Sequence, residues 1–202
     1  MEIEQRSFEI IEEELAGTLL DKKLAPIIKR VIHTTADFEY VQNLCFTENV
    51  VEIAMQTLRE GCVIVTDTQM VKSGINKASL QQSGSEVRCF MSDEDVAEIA
   101  KKRGITRAAV SMEKAATIQK PLIIAVGNAP TALMKLSELI RAGKIAPKLI
   151  IGVPVGFVNV VESKEQIIAN SVPTIVAKGR KGGSNVAAAI VNALLYLAFP
   201  RD

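Results

Sequence analysis

The sequence predicts an α/β fold, a three-layer α/β/α sandwich built on a five-stranded parallel sheet and preceded by an N-terminal helical extension. Two patterns carry that expectation. Short β-rich runs recur at Cys62–Thr66 (CVIVT), Val87–Phe90 (VRCF), Leu122–Val126 (LIIAV), Leu149–Val153 (LIIGV) and Pro173–Ala177 (PTIVA), and four of them are nearly continuous apolar strings. Strands read this way when helices cover both faces of a parallel sheet. The runs also start about 25 to 35 residues apart, the length of one strand plus one right-handed crossover.

Three helices are expected before the first strand, at Ile3–Ala16, Leu24–Ile32 and Glu48–Arg59. The first crossover, Asp67–Glu86, offers only a short helix, with Gly74 and Gly84 as breaks. Asp93–Arg103 has Ser92 as N-cap and acidic residues in its first turn, and Gly104 closes it. Thr106–Gln119 follows. Ala129–Ala142 has Pro130 in its first turn and ends at Gly143, while Pro154–Asn170 likewise opens on proline. The last helix, Ser184–Phe199, contains an apolar stretch about six residues short of the roughly twenty that a membrane crossing needs, and it carries Asn192. It reads as a buried core helix. No low-complexity linker divides residues 1–202, so a single domain is expected.

Composition narrows the function classes. With 48% apolar and 23% charged residues in 202, the chain can bury a substantial core. A formal net charge of +1 provides no global attraction to nucleic acid or to an anionic membrane. Aromatic residues are only 4% and Trp is absent, which argues against a stacking platform for single strands. Cys45, Cys62 and Cys89 are odd in number, widely spaced and set in apolar runs. With one histidine and no C-x-x-C, the usual zinc ligands cannot be assembled, and the cysteines read as free thiols in a reducing compartment. The opening MEIEQRSFEIIEEEL is acidic and amphipathic, unlike a secretory signal, so a cytoplasmic protein is expected.

In open α/β sheets ligands bind outside the carboxyl ends of the strands. Here those ends are polar or glycine-rich: Thr66-Asp67-Thr68 with Met70 to Gly74 behind, Gly127 to Thr131, Pro154 to Phe157, and Lys178 to Asn185. Hydroxyls, an amide, cations and glycine-freed N–H groups on one rim suit a ligand with several anionic groups. Ordinary nucleotide motifs are missing: KGRKGGSN lacks the P-loop spacing, and neither G-x-G-x-x-G nor the G-x-S-x-G elbow occurs. The only histidine, His33, stands in RVIHTTADFEY. One proton-transfer group facing a polar mouth suggests chemistry that needs one proton and much positioning.

RVIHTTADFEY, TDTQMVKSGI (Thr66–Ile75), AVGNAPTAL (Ala125–Leu133), IGVPVGFVNVVESK (Ile151–Lys164) and KGRKGGSNVAAAIVNALL (Lys178–Leu195) closely resemble the precorrin-8X methylmutase family of corrin biosynthesis. The motifs follow the family's order across nearly the whole chain. The resemblance implies a flavodoxin-like fold, a homodimer and an isomerase. That enzyme moves a methyl group from C-11 to C-12 of the macrocycle, giving hydrogenobyrinate or, with cobalt present, cobyrinate. It also implies no separate cofactor, any cobalt being carried by the substrate.

By that resemblance His33 is the acid/base residue, suited by an ordinary histidine pKa of about 6.5. Arg30, three positions earlier on the same helix face, looks like the family's substrate-binding arginine, and Ser7 looks like its N-terminal substrate-contacting serine. Beside these, the rim composition offers Thr66, Thr68 and Lys72 for acetate or propionate groups, and Asn128 as an amide donor. Lys178, Arg180 and Lys181 read either as carboxylate clamps or as structural or dimer-facing charges. Asp67 is expected to orient a neighbouring donor, and Met70 and Phe157 to line an apolar slot or the core. Two other readings stay open: a tetrapyrrole-binding or carrier protein without chemistry, and a phosphate- or nucleotide-binding α/β enzyme.

Overall fold

The computed structural model describes residues 2–200. Three helices open it: α1 (Glu2–Glu14), α2 (Ala25–Thr35) and α3 (Tyr40–Asn43). They are followed by β1 (Leu44–Phe46), α4 (Val50–Arg59), β2 (Val63–Thr66), α5 (Gln69–Gly74), α6 (Lys77–Gln82) and β3 (Glu86–Arg88). The second half alternates more regularly: α7 (Glu94–Arg103), α8 (Arg107–Ala115), β4 (Leu122–Val126), α9 (Pro130–Arg141), β5 (Leu149–Gly152), α10 (Val160–Ile168), β6 (Thr174–Ala177) and α11 (Ser184–Ala198).

The sheet has six strands in the order β1-β6-β5-β4-β2-β3, one more than expected. β2 to β6 are parallel, and numbered among themselves they run 2-1-3-4-5, the flavodoxin-like order. The additional strand, β1, is a three-residue edge paired antiparallel to β6, with Cys45 opposite Val176. So short an antiparallel edge carries no both-faces-buried signature.

Alternation along the strands builds the layers. Ile64, Ile123, Ile151 and Ile175 face a core shared with α1, α2, α4 and α11, while Val65, Ile124, Ile150 and Val176 face the core under α7 to α10. α11 lies within the first of these, with Val186, Ala187, Ile190, Leu194 and Leu195 buried. Its Asn192 accepts from the Asn76 N–H at 2.8 Å and donates to the Gly74 carbonyl at 2.9 Å, tying down the α5–α6 joint. Among the described residues no helix is long and apolar enough to cross a membrane.

Several boundaries differ from expectation: α2 runs on to Thr35, and the N-cap of α7 is Asp93 in place of Ser92, without a side-chain cap bond. The first crossover holds two short helices, because Thr68 and Asn76 each cap one by accepting from the N–H three residues on. α8 stops at Ala115. α10 begins at Val160 instead of Pro154, since Gly156 at φ 144° and Asn159 at φ 57° break the preceding turn.

Candidate active site

β2 and β4 flank the topological switch point of the parallel strands, where a flavodoxin-like sheet offers its ligand crevice. Asp67 fills that crevice from within. It is fully buried, and its carboxylate accepts from the backbone N–H groups of Gly127, Asn128 and Ala129 at 2.8, 2.8 and 2.7 Å. Burial raises its pKa, with the three donors pulling the other way. An anion bound at the entrance to α9 would have to displace this side chain, so the phosphate-binding reading loses its natural seat. Gly127 is required here because a Cβ would lie 2.7 Å from Cα of Ser184.

Thr66, expected on the rim, is fully buried and donates to the carbonyl of Thr68 at 3.1 Å. It offers no surface to a ligand and serves the strand end. Thr68 is half-buried and shares a 2.9 Å hydrogen bond with the Ser184 hydroxyl, joining the β2 loop to the start of α11. Lys72 is half-buried and forms no ion pair with a described residue. Asn128 is exposed, its backbone N–H taken by Asp67 and its side chain open.

The loop from β6 to α11 is held from three sides. Gly183 N–H donates to the Val153 carbonyl at 2.8 Å, and Gly182, at φ 156°, passes so close that a Cβ would meet the same oxygen at 2.1 Å. From beneath, the Nζ of buried Lys164 donates to the carbonyls of Gly179 and Lys181, both at 2.8 Å, and burial lowers its pKa to about 8. From the side, Lys181 pairs with Asp37 at 2.6 Å and Glu39 at 2.8 Å, which pushes its pKa up to about 12 and holds the Asp37 carboxyl below its usual range. Lys181 thus pairs with the turn after α2, in keeping with the structural one of its two expected roles. Lys178 and Arg180 are exposed, and the guanidinium of Arg180 stands 5.4 Å from the Phe157 ring centroid.

The Lys181 pairs tie the turn after α2 to the β6–α11 loop, four residues beyond His33, while Arg30, one turn back, lies against Tyr196 near the C-terminal end of α11. The imidazole is half-buried and stacks on Phe8, with centroids 4.9 Å apart and planes 7° from parallel. Neither ring nitrogen hydrogen-bonds to a described residue. Arg30 shares the same aromatic neighbour: its guanidinium lies 4.6 Å from the Phe8 centroid and 5.2 Å from that of Tyr196, and it pairs with Glu4. Ser7 precedes Phe8 and donates to the Ile3 carbonyl at 2.9 Å, an intrahelical bond.

Two groups thus form. Arg30 and His33 gather around Phe8, with Ser7 its neighbour in α1, while Thr68, Asn128, Lys178 and Arg180 belong to the strand ends and Lys181 pairs with the turn after α2. Met70 and Phe157 are 69% and 80% exposed, on the surface and not in the core. The rim is open in a single chain. Concavities of about 480 and 490 Å³ lie elsewhere, one near Gln56 and Pro173 and one between α8 and α9, and neither holds an expected substrate residue. Among the described residues no cluster of three His, Cys, Asp or Glu is arranged to hold a metal ion.

Phe8, Tyr196 and Lys164 were not anticipated from the sequence. Lys164 had a legible signal: it falls with Val160, Ser163 and Ile167 on the buried stripe of α10, where a helix-period pattern calls for an apolar residue.

The chain matches the precorrin-8X methylmutase family over residues 2–197. It is 46% identical to the cobalt-precorrin-8 methylmutase of Salmonella typhimurium, covering 96% of this chain and 93% of that one. Identity is 44% to the cobalt-precorrin-8 methylmutase of Leptospira interrogans (98% and 94% covered) and 39% to the precorrin-8X methylmutase of Pseudomonas aeruginosa (95% and 93% covered). The crystal structure of a precorrin-8X methylmutase from Thermus thermophilus superposes with a TM-score of 0.88 at 38% identity, covering 98% of both chains.

Proposed function

The chain belongs to the precorrin-8X methylmutase family, isomerases of cobalamin biosynthesis, and we propose that it shifts a methyl group from C-11 to C-12 of precorrin-8X or cobalt-precorrin-8 with His33 as its one proton-transfer group. The observation that carries the assignment of His33 is its setting. The only imidazole in the chain is held face-on by Phe8 beside Arg30, with both ring nitrogens uncommitted to described residues.

The imidazolium lends a proton to the conjugated ring and makes it electron-poor. The methyl group then leaves C-11 and bonds to C-12, and the same imidazole recovers the proton, so composition does not change. Arg30 is fixed between two aromatic faces and meets a carboxylate of the macrocycle bidentately, exchanging Glu4 for it. Ser7 contributes a hydroxyl at the same edge. Thr68, Lys72, Asn128, Lys178 and Arg180 receive further carboxylates, and Met70 and Phe157 cover the flat ring.

We read residues 1–202 as one catalytic domain, cytoplasmic and homodimeric, with a second copy walling the open rim. The exposure of Val155, Phe157 and Val158 beside the rim supports that reading. The chemistry as written calls for no separate cofactor, and cobalt enters inside the substrate. Anaerobic incubation with precorrin-8X and with cobalt-precorrin-8 tests the activity: the visible spectrum is expected to change to that of the corrin product at unchanged mass. A bound but spectrally static substrate would favour the carrier reading instead.

A further inference from the structure

The methylmutase reading leaves the buried Lys164 without a role, and the inference drawn from it rests on that reading. Lys164 is 1% exposed and forms no ion pair with a described residue, its ammonium instead drawing the Gly179 and Lys181 carbonyls inward. Among the described residues every peptide is trans, and in a planar trans peptide the N–H points opposite to the C=O. The N–H groups of Arg180 and Gly182 are therefore turned away from Lys164. Neither donates to a described residue, and they belong to an exposed and a half-buried residue. At the other strand-end turn the corresponding donors are consumed by Asp67. Here they are left over.

We propose that Lys164 is a positioning residue that presents the backbone N–H groups of Arg180 and Gly182 as a paired receptor for one carboxylate of the tetrapyrrole. The guanidinium of Arg180, beside Phe157, supplies the countercharge at the same loop. A lysine fits this place because a donor-only head on a long stem can satisfy two inward carbonyls at once. At pH 7 it remains largely protonated, its pKa being lowered only to about 8.

The test is titration of wild type, Lys164→Met and Lys164→Arg with cobyrinate and with cobyrinate whose acid side chains are converted to amides, read by corrin absorbance. Lys164→Met is expected to weaken cobyrinate roughly 10- to 100-fold, as for loss of charge-assisted hydrogen bonds. The loss should be smaller for the amide form, and Lys164→Arg should recover part of it. A folded Lys164→Met with wild-type affinity, or with equal losses for both ligands, overturns the inference. If Lys164→Met does not fold, the amide resonances of Arg180 and Gly182 in wild type decide: they should move downfield on adding cobyrinate, and unmoved resonances overturn it. Failure of wild type to bind any corrin would remove the methylmutase reading as well, whereas binding that ignores Lys164 removes only its positioning role.

Discussion

A buried carboxylate that accepts three backbone N–H groups does the work of a loop clamp at Asp67. Asn at this position keeps the shape but turns a donor towards N–H groups, so Asp67→Asn should cost about 3 kcal/mol in urea unfolding. Lys164 gives a pH signature of its own. Its pKa falls from 10.5 to about 8 in the fold, so between those values the unfolded chain holds a proton that the folded chain has shed. The unfolded state then binds more protons, and the contribution of Lys164 to stability rises with pH across that window and is flat below it. The stability difference between wild type and Lys164→Met should therefore grow in favour of wild type from pH 8 to 10. Residue types at the rim were legible in the sequence, but their commitments were not. Thr66 and Lys181 look like ligand groups in a string of letters, and only packing reveals that one is buried and the other already paired.

Among the elements, the long apolar strands and the capped helices were readable because their signals are local. The start of α10 was not: Pro154 resembles a helix opening, and the positive φ of Gly156 and Asn159 that delays it is set by the neighbouring loop. The same crowding makes Gly182→Ala severe. A Cβ 2.1 Å from the Val153 carbonyl at φ 156° should cost about 3 kcal/mol or more, seen as a lowered melting temperature. Lys181→Met tests the tie between α2 and the β6–α11 loop. Its exposed pairs should leave the melting temperature nearly unmoved, while turnover falls more than stability does as the turn after α2 loosens from the loop.

For the whole molecule, the 2-1-3-4-5 order among parallel strands follows from right-handed crossovers with one reversal, and β1 adds an antiparallel edge that sequence pattern alone does not announce. The open rim and the exposed Phe157 and Val158 predict a dimer. Sedimentation should give twice the 21.9 kDa chain mass, and charged substitutions at these two positions should shift it towards the monomer. In the proposed mechanism a single imidazole, His33, carries the proton for methyl migration. The measurement that reaches it most directly is the visible spectrum of cobalt-precorrin-8 or precorrin-8X mixed anaerobically with wild type and with His33→Ala. Wild type is expected to convert the substrate, and His33→Ala to bind it yet leave its spectrum at the unrearranged state. Conversion by His33→Ala at the wild-type rate would contradict the mechanism.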